Sequence, residues 1–176
     1  MSRADRPTNG YLFAALAAAV ATACSPAEEG VIQAQPDDPA ISLSEGPCPI
    51  TCPVYDMTLH PNGTYILNSV QFVRGEGVSE GNIGRASWTE AERVLKDAGF
   101  WTLAPEQTME TLPRCQPDAP TAKITWRTTE GQEKTVTYYA GCGVQKMQRL
   151  VSDLRNALKF ERLVWTEDRF DPSGNR

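Results

Sequence analysis

The sequence predicts an α+β domain built from an antiparallel sheet of about five strands, in the order β-β-β-α-β-β-α, with two helices packed on one face. Two observations support this prediction: two hairpin patterns, and an amphipathic helical pattern after each of them. The two halves share no sequence similarity. An antiparallel sheet with both helices on one face is the simplest arrangement that buries both apolar helical stripes.

The first hairpin is predicted from two alternating segments, Val54–His60 and Thr64–Val73. They are joined by Pro61-Asn62-Gly63, in which Pro sets φ for a turn and Asn-Gly tolerates left-handed backbone. The next segment, Gly75–Gly84, is Gly-rich and polar, so we expect a loop before a third strand that ends near Ala86.

The first helix is predicted over Trp88–Ala98, where apolar residues recur at helical spacing. Ser87 and Glu90 have the spacing of a capping box, in which each side chain caps the other's backbone N–H. Gly99 supplies a left-handed residue that ends the helix, and Phe100 supplies the apolar contact beyond it.

The second half begins with an irregular segment, Ala104–Pro120, which contains four prolines and no sustained periodicity. A second hairpin follows, with alternating strands around Ala122–Trp126 and Val136–Tyr138 and a turn at Glu130-Gly131.

The second helix is predicted over Val144–Phe160, because Met147, Leu150 and Leu154 fall on one apolar stripe. A short edge strand is predicted over Arg162–Thr166.

The N-terminus has the layout of an export signal. A short basic region is followed by a mostly apolar run of 13 residues, Tyr11–Ala23. A helix that spans a membrane needs about 20 residues, so this run is too short to be one. The segment Ala21-Thr22-Ala23-Cys24 resembles the lipobox of bacterial lipoproteins, in which the residue after the cleavage site is a lipid-modified Cys. Ala21 stands where Leu is usual, and an ordinary A-x-A cleavage site remains the alternative.

The lipobox interpretation divides the chain into four parts. We expect a signal peptide at 1–23, a flexible tether at 24–45 that starts with lipidated Cys24, a single α+β domain at 46–166 and a disordered tail at 167–176. The tether is rich in Pro, Ala, Glu, Asp and Gln, as flexible spacers are. Ser25 is not the Asp that favours inner-membrane retention in such proteins, so an outer-membrane anchor facing the periplasm is expected if the source is Gram-negative.

Charge restricts the range of partners. The chain has 22 acidic and 17 basic residues, whereas nucleic-acid binding requires a basic face. We therefore expect no nucleic-acid partner. The expected partners are the membrane, through a lipid anchor on Cys24, and an envelope protein, peptide or wall component.

Four further cysteines, Cys48, Cys52, Cys115 and Cys142, predict two disulfides, since an even number in an exported chain is typical of such bonds. Three pairings are possible, and we favour Cys48–Cys52 with Cys115–Cys142. A zinc site and a redox-active pair are weaker alternatives, because the chain lacks both C-x₂-C knuckles and a C-x-x-C motif at a helix start.

No catalytic, metal or cofactor-binding residue is predicted. His60 is the only histidine and lies beside a predicted turn, and no P-loop, H-E-x-x-H or G-x-S-x-G pattern occurs. The acidic pairs Glu76/Glu80 and Glu90/Glu92 are interpreted as surface residues. Three of the four tryptophans are assigned to the core or its border, and the fourth is expected to be exposed: Trp88, Trp101, Trp126 and Trp165. The Gly75–Gly84 loop is a candidate binding loop.

The opening of the domain resembles a bacterial domain family of unknown function. The shared pattern is G-P-C-x₃-C-P-x-Y, here Gly46–Tyr55, followed by an Asn-Gly hairpin, a helix and Phe-x-x-Leu, here Phe100–Leu103. The resemblance implies a lipoprotein or secreted protein and carries no activity. The leading hypothesis is a non-catalytic envelope module that binds a partner. The alternatives are an envelope enzyme, either a hydrolase or a thiol-disulfide oxidoreductase, and a structural lipoprotein without a ligand.

Overall fold

The computed structural model describes residues 38–49 and 51–164. Within them the fold is α+β, as predicted, but the sheet has seven strands and is mixed. The strands are β1 (Ala40–Glu45), β2 (Val54–Leu59), β3 (Thr64–Gln71), β4 (Gly77–Asn82), β5 (Glu106–Gln107), β6 (Thr121–Arg127) and β7 (Glu133–Tyr139). The helices are α1 (Arg85–Asp97), α2 (Gln145–Ala157) and α3 (Phe160–Leu163), with 3₁₀ turns at Phe100–Thr102 and Ala140–Cys142.

The strand order is β4-β3-β2-β1-β6-β7-β5. The short strand β5 runs parallel to β7, and every other neighbouring pair is antiparallel. Both predicted hairpins are present, as β2–β3 and β6–β7, with left-handed glycines Gly63 and Gly131 in their turns.

The assignment of residues 40–45 to the tether is wrong, because they form β1, the central strand. Ile41 and Leu43 are fully buried, while Ser42 and Ser44 face the opposite side of the sheet. This two-residue alternation is the pattern of a strand with one covered face. This strand was not predicted from the sequence, because the segment that precedes it is polar and rich in Pro. Residues 24–37 of the predicted tether, the predicted signal peptide and the predicted tail at 167–176 lie outside the described residues.

The region between β3 and α1 also differs from the prediction. The expected loop is itself a strand, β4, and the expected strand near Ala86 lies within the first turn of α1. The helix begins at Arg85, so Ser87 is inside it and does not form the predicted capping box. Instead the Ser87 hydroxyl donates to the carbonyl of Ile83 at 3.1 Å.

The two helix ends were predicted with different success. Gly99 is left-handed and its N–H donates to the carbonyl of Lys96, with Phe100 buried beyond it, as predicted. The predicted edge strand at 162–166 is wrong where it is described. Lys159 at φ 60° separates α2 from α3, which includes Arg162.

One hydrophobic core lies between the sheet and the helices. It joins the covered face of the strands to the apolar stripes of both α1 and α2, which also contact each other. Both helices therefore lie on one face, as predicted. The opposite face is polar, with hydroxyl pairs Ser42–Thr58 and Thr125–Thr135, each 2.9 Å apart.

The favoured cysteine pairing is present in the structure. Cys48–Cys52 bridges the loop between β1 and β2, and Cys115–Cys142 ties the proline-rich segment to the end of β7. Gly141 allows this second junction to form, because a Cβ at that position would lie 2.1 Å from the backbone oxygen of Gln116. The N–H of Gln116 in turn donates to the carbonyl of Gly141 at 2.7 Å.

Candidate functional site

The end of the sheet at which β1 finishes gathers several unusual features. Glu45 is the last residue of β1, opposite Tyr55 on one side and Ala122 on the other. Both disulfides lie at this end, since Cys48 follows β1 closely and Cys142 follows β7. We call it the disulfide end of the sheet; the chain enters β1 from Asp38 at the opposite end.

A buried charge network occupies the disulfide end. The side chain of Glu45 is only 5% exposed, although it is a carboxylate on the core-facing side of β1. Arg155 of α2 donates to it from Nε at 2.9 Å and from Nη2 at 2.6 Å, and the hydroxyl of Tyr55 donates at 2.8 Å. A buried charge requires such partners, because desolvating it alone is costly. The network therefore joins β1, β2 and α2.

Electrostatics fix the protonation of this network. Burial raises the pKa of Tyr55 well above its ordinary value, and the charge of Glu45 raises it further, so the phenol stays a hydrogen-bond donor. Burial opposes the charge of Arg155, but the carboxylate of Glu45 outweighs it and raises the pKa of the guanidinium. Arg155 also lies over the ring of Phe160, with its Cζ 4.9 Å from the ring centroid.

A cleft of about 320 Å³ opens beside this network. It is lined by Glu45, Pro120, Ala122, Tyr138, Ala140, Gln148, Val151, Ser152 and Arg155. Arg155 is 36% exposed and lines the cleft, while its Nε and Nη2 donate to Glu45. The cleft thus combines a small apolar wall with donors from Arg155, Gln148 and Ser152. That combination suits a ligand carrying an acceptor group beside a small apolar group.

A larger groove of about 540 Å³ lies between α1 and α2. Its charged lining is exposed and partly self-paired: Arg93 binds Glu90 and Asp97, each at 2.6 Å. Exposed pairs of this kind contribute little energy and are screened by salt. The cleft, which contains a buried and hydrogen-bonded charge, is therefore the better candidate site.

His60 lies at the other end of the sheet from the cleft. Its Nδ1 is within hydrogen-bond distance of the carbonyl of Pro39, at 3.2 Å, while Nε2 is buried and has no hydrogen-bond partner among the described residues. The structure does not bring this histidine to Glu45 or Arg155. The acidic pairs likewise do not form a site: Glu90 bonds Arg93, which lowers the pKa of the Glu90 carboxyl, and Glu92 lies 3.8 Å from Lys96.

The described tryptophans contribute to the core or its border. Trp88 and Trp126 are buried, and Trp101 is partly exposed and packs against Trp126 with ring centroids 5.1 Å apart. Cys24 and Trp165 lie outside the described residues.

Sequence reasoning missed Glu45 and Arg155, because Glu45 fell within the predicted tether. The alternation Ile41, Leu43, Glu45 was the available signal, since it places a carboxylate on the same face as two core residues. A carboxylate in that position requires a cation from a facing element.

Neither a metal-binding cluster nor a membrane-spanning helix occurs among the described residues. No cluster of three or more His, Cys, Asp or Glu side chains suited to a metal ion occurs among residues 38–49 and 51–164. Within the same part of the chain, no helix has the length and apolar character needed to cross a membrane.

Comparison with known families decides the classification. The family model described as a domain of unknown function, DUF6438, matches residues 39–158. The chain belongs to the DUF6438 family. The match starts at β1 and ends after α2, so it includes Glu45, Arg155 and both disulfides of the DUF6438 domain. No curated protein matches the chain.

Proposed function

We propose that this protein is an envelope lipoprotein whose DUF6438 domain is a non-catalytic binding module. In this proposal the signal peptide at 1–23 directs export, Cys24 carries the lipid, and the domain binds an envelope protein, peptide or wall component. The observation that carries the proposal is the pair of disulfides, Cys48–Cys52 and Cys115–Cys142. Such bonds persist in oxidising compartments, which agrees with the export signal in the sequence.

The cleft beside Glu45 and Arg155 is the proposed binding site. Its walls are held by the buried ion pair on one side and by the junction around Gly141 on the other. Sites fixed by well-packed neighbours lose little entropy when a ligand binds. The donors of Arg155, Gln148 and Ser152 match the carboxylate and amide groups of wall peptides and of protein termini.

The anchor is tested by labelling cells of a Gram-negative host with a clickable palmitate analogue. We expect the full-length chain to incorporate label and to sediment with membranes, and Cys24→Ser to lose both properties. Ser25→Ala is the matched control and should keep both. Label that persists in Cys24→Ser, or a wild-type chain that remains in the soluble periplasmic fraction, would contradict the anchor.

The binding module is tested with soluble peptide fragments prepared from purified peptidoglycan and with a detergent extract of envelope proteins. Ser152→Arg fills the cleft and should abolish retention of the partner, whereas Glu161→Arg, an exposed change on α3, should leave it intact. Retained wall fragments should be recovered with unchanged mass. Equal retention by both variants would exclude the cleft, and fragments of altered mass would favour the hydrolase alternative.

A further inference from the structure

Strand β4 is exposed on both faces and lies at one edge of the sheet. Five of its six residues are exposed, and Gly81 is partly buried. Val78 on β4 is 69% exposed, and Val70 on the neighbouring strand β3 is 52% exposed. Isolated exposed valines are ordinary, but these two lie next to a sheet edge.

The register shows which backbone groups of β4 are unpaired. The N–H of His60 donates to the carbonyl of Thr64, so the even-numbered residues of β3 bond β2. The odd-numbered residues of β3 therefore bond β4, through Gly77, Ser79 and Gly81. The N–H of Ile83 donates to the carbonyl of Gly63, which agrees with this alternation.

It follows that the N–H and C=O groups of Val78 and Glu80 point away from the sheet. Neither residue makes a backbone hydrogen bond on that side with any part of the chain that the structure describes. Their side chains share the polar face of the sheet, because they pair with Asn68 and Ile66. On the other face β4 presents Gly77, Ser79 and Gly81; the ring of Tyr65 lies over Gly81, whereas the space at Gly77 is open.

Proteins usually protect such an edge. The opposite edge of this sheet is only two residues long, whereas β4 has six residues and contains no Lys, Pro or bulge. Its sequence, GVSEGN, also has weak intrinsic preference for a strand. An exposed strand with paired backbone on one side only is the structure to which extended peptides add.

We propose that the outer edge of β4 binds an extended peptide segment of a partner protein as an eighth strand. The partner segment carries a Lys or Arg opposite Glu80 and an apolar residue opposite Val78, two positions apart. Charge complementarity supports this choice, since Glu76 and Glu80 are both exposed and β4 has no basic residue. A second copy paired through the same edge would instead bring four carboxylates together. The proposal requires neither the lipid anchor nor the cleft.

The test uses the full-length chain in a non-ionic detergent and the probe acetyl-Thr-Lys-Thr-Val-Thr-Lys-Thr-amide. Hydrogen exchange is followed by NMR. The probe should slow exchange of the Val78 and Glu80 amides at least about fivefold, while Ser79 and Gly81, already bonded to β3, should change less. A matched probe with Glu in place of Lys should have no effect.

Three variants separate edge pairing from general effects. Val78→Pro removes an outward N–H without breaking the β3–β4 ladder and should weaken probe binding about fivefold to tenfold. Thr129→Pro, in the β6–β7 turn, is the control and should bind normally. Glu80→Lys should transfer the preference to the Glu probe, whereas Glu110→Lys, with the same change in net charge, should not.

Should Val78→Pro fail to fold, Val78→Lys serves in its place, because an edge lysine opposes strand addition. Unchanged exchange of Val78 and Glu80 at saturating probe would overturn the proposal. Protection of the same amides that appears with rising protein concentration and without probe would also overturn it, by assigning the edge to a second copy. Loss of binding in Ser152→Arg would leave this result unaffected, so failure of the cleft and failure of the edge are distinguishable.

Discussion

Replacement of Arg155 by Met should destabilise the domain strongly, because it leaves the Glu45 carboxylate buried without a cation. Removing one partner of a buried pair costs roughly 3–5 kcal/mol. Since Arg155 is 36% exposed, water screens part of this cost. We therefore expect the free energy of unfolding to fall by about 2–3 kcal/mol, which includes the lost contact with the Phe160 ring. Glu45→Gln should cost only about 1 kcal/mol, because Arg155 keeps access to water.

The measurement is urea denaturation at pH 7 with disulfides intact, supported by thermal melting. For a domain of this size the loss in Arg155→Met corresponds to a fall in Tm of about 6–15 °C. Arg149→Met, on the exposed side of the same helix, is the matched control and should change stability by less than about 0.5 kcal/mol. The double variant Glu45→Gln/Arg155→Met should lose at least about 1 kcal/mol less than the sum of the two single losses. Equal stability of Arg155→Met and Arg149→Met, or a larger loss in Glu45→Gln than in Arg155→Met, would refute this reasoning.

Three further predictions concern the disulfide end of the sheet. Because its pKa is raised, Tyr55 contributes its full stability below pH 10.0, the ordinary pKa of the phenol, and this contribution is lost as the pH rises further. Tyr55→Phe should therefore flatten the fall in unfolding free energy above pH 10, by up to about 1.4 kcal/mol per pH unit. An unchanged slope would count against a buried phenol. Gly141→Ala should lower the free energy of unfolding by about 1–3 kcal/mol, because its Cβ would clash with the backbone of Gln116. Gly75→Ala, which has open space around it, should be neutral. Equal urea midpoints for the two variants would contradict the close approach of Gly141 to Gln116. Replacing Cys115 and Cys142 together by Ala should lower the free energy of unfolding in urea by about 3.5 kcal/mol, because the bond no longer constrains two residues 27 positions apart. A loss under about 1 kcal/mol would exclude that bond as a major constraint.

Local patterns predicted much of the fold. The favoured cysteine pairing is present, although Cys115 and Cys142 are 27 positions apart. Both hairpins and the stop at Gly99 were predicted from neighbouring residues, and the structure confirms them. Signals of this kind depend on backbone conformation within a few residues, so they survive without knowledge of the tertiary fold. The capping box at Ser87 failed because the chain leaving β4 continues directly into helix at Arg85.

The candidate site was harder to predict, because its residues are far apart in the sequence. Glu45 and Arg155 are separated by 110 positions and meet only when α2 packs over β1. Strand β4 was also not predicted, because it too depends on contacts outside its own sequence. Its sequence has little preference for a strand, and it becomes one because β3 offers a ladder of hydrogen-bond partners.

The sequence by itself determined the elements whose cause is local: the turn glycines, the helical stripes and an even set of domain cysteines. The export signal that ends at Cys24 stays a prediction. Only the tertiary structure decided that residues 40–45 form the centre of the sheet, that Glu45 is buried against Arg155, and that β4 leaves an open edge. The physical reason is that burial and strand pairing depend on which distant segments meet. A carboxylate or a glycine-rich segment has the same local properties in a tether or loop as in a core or sheet, until its neighbours are known.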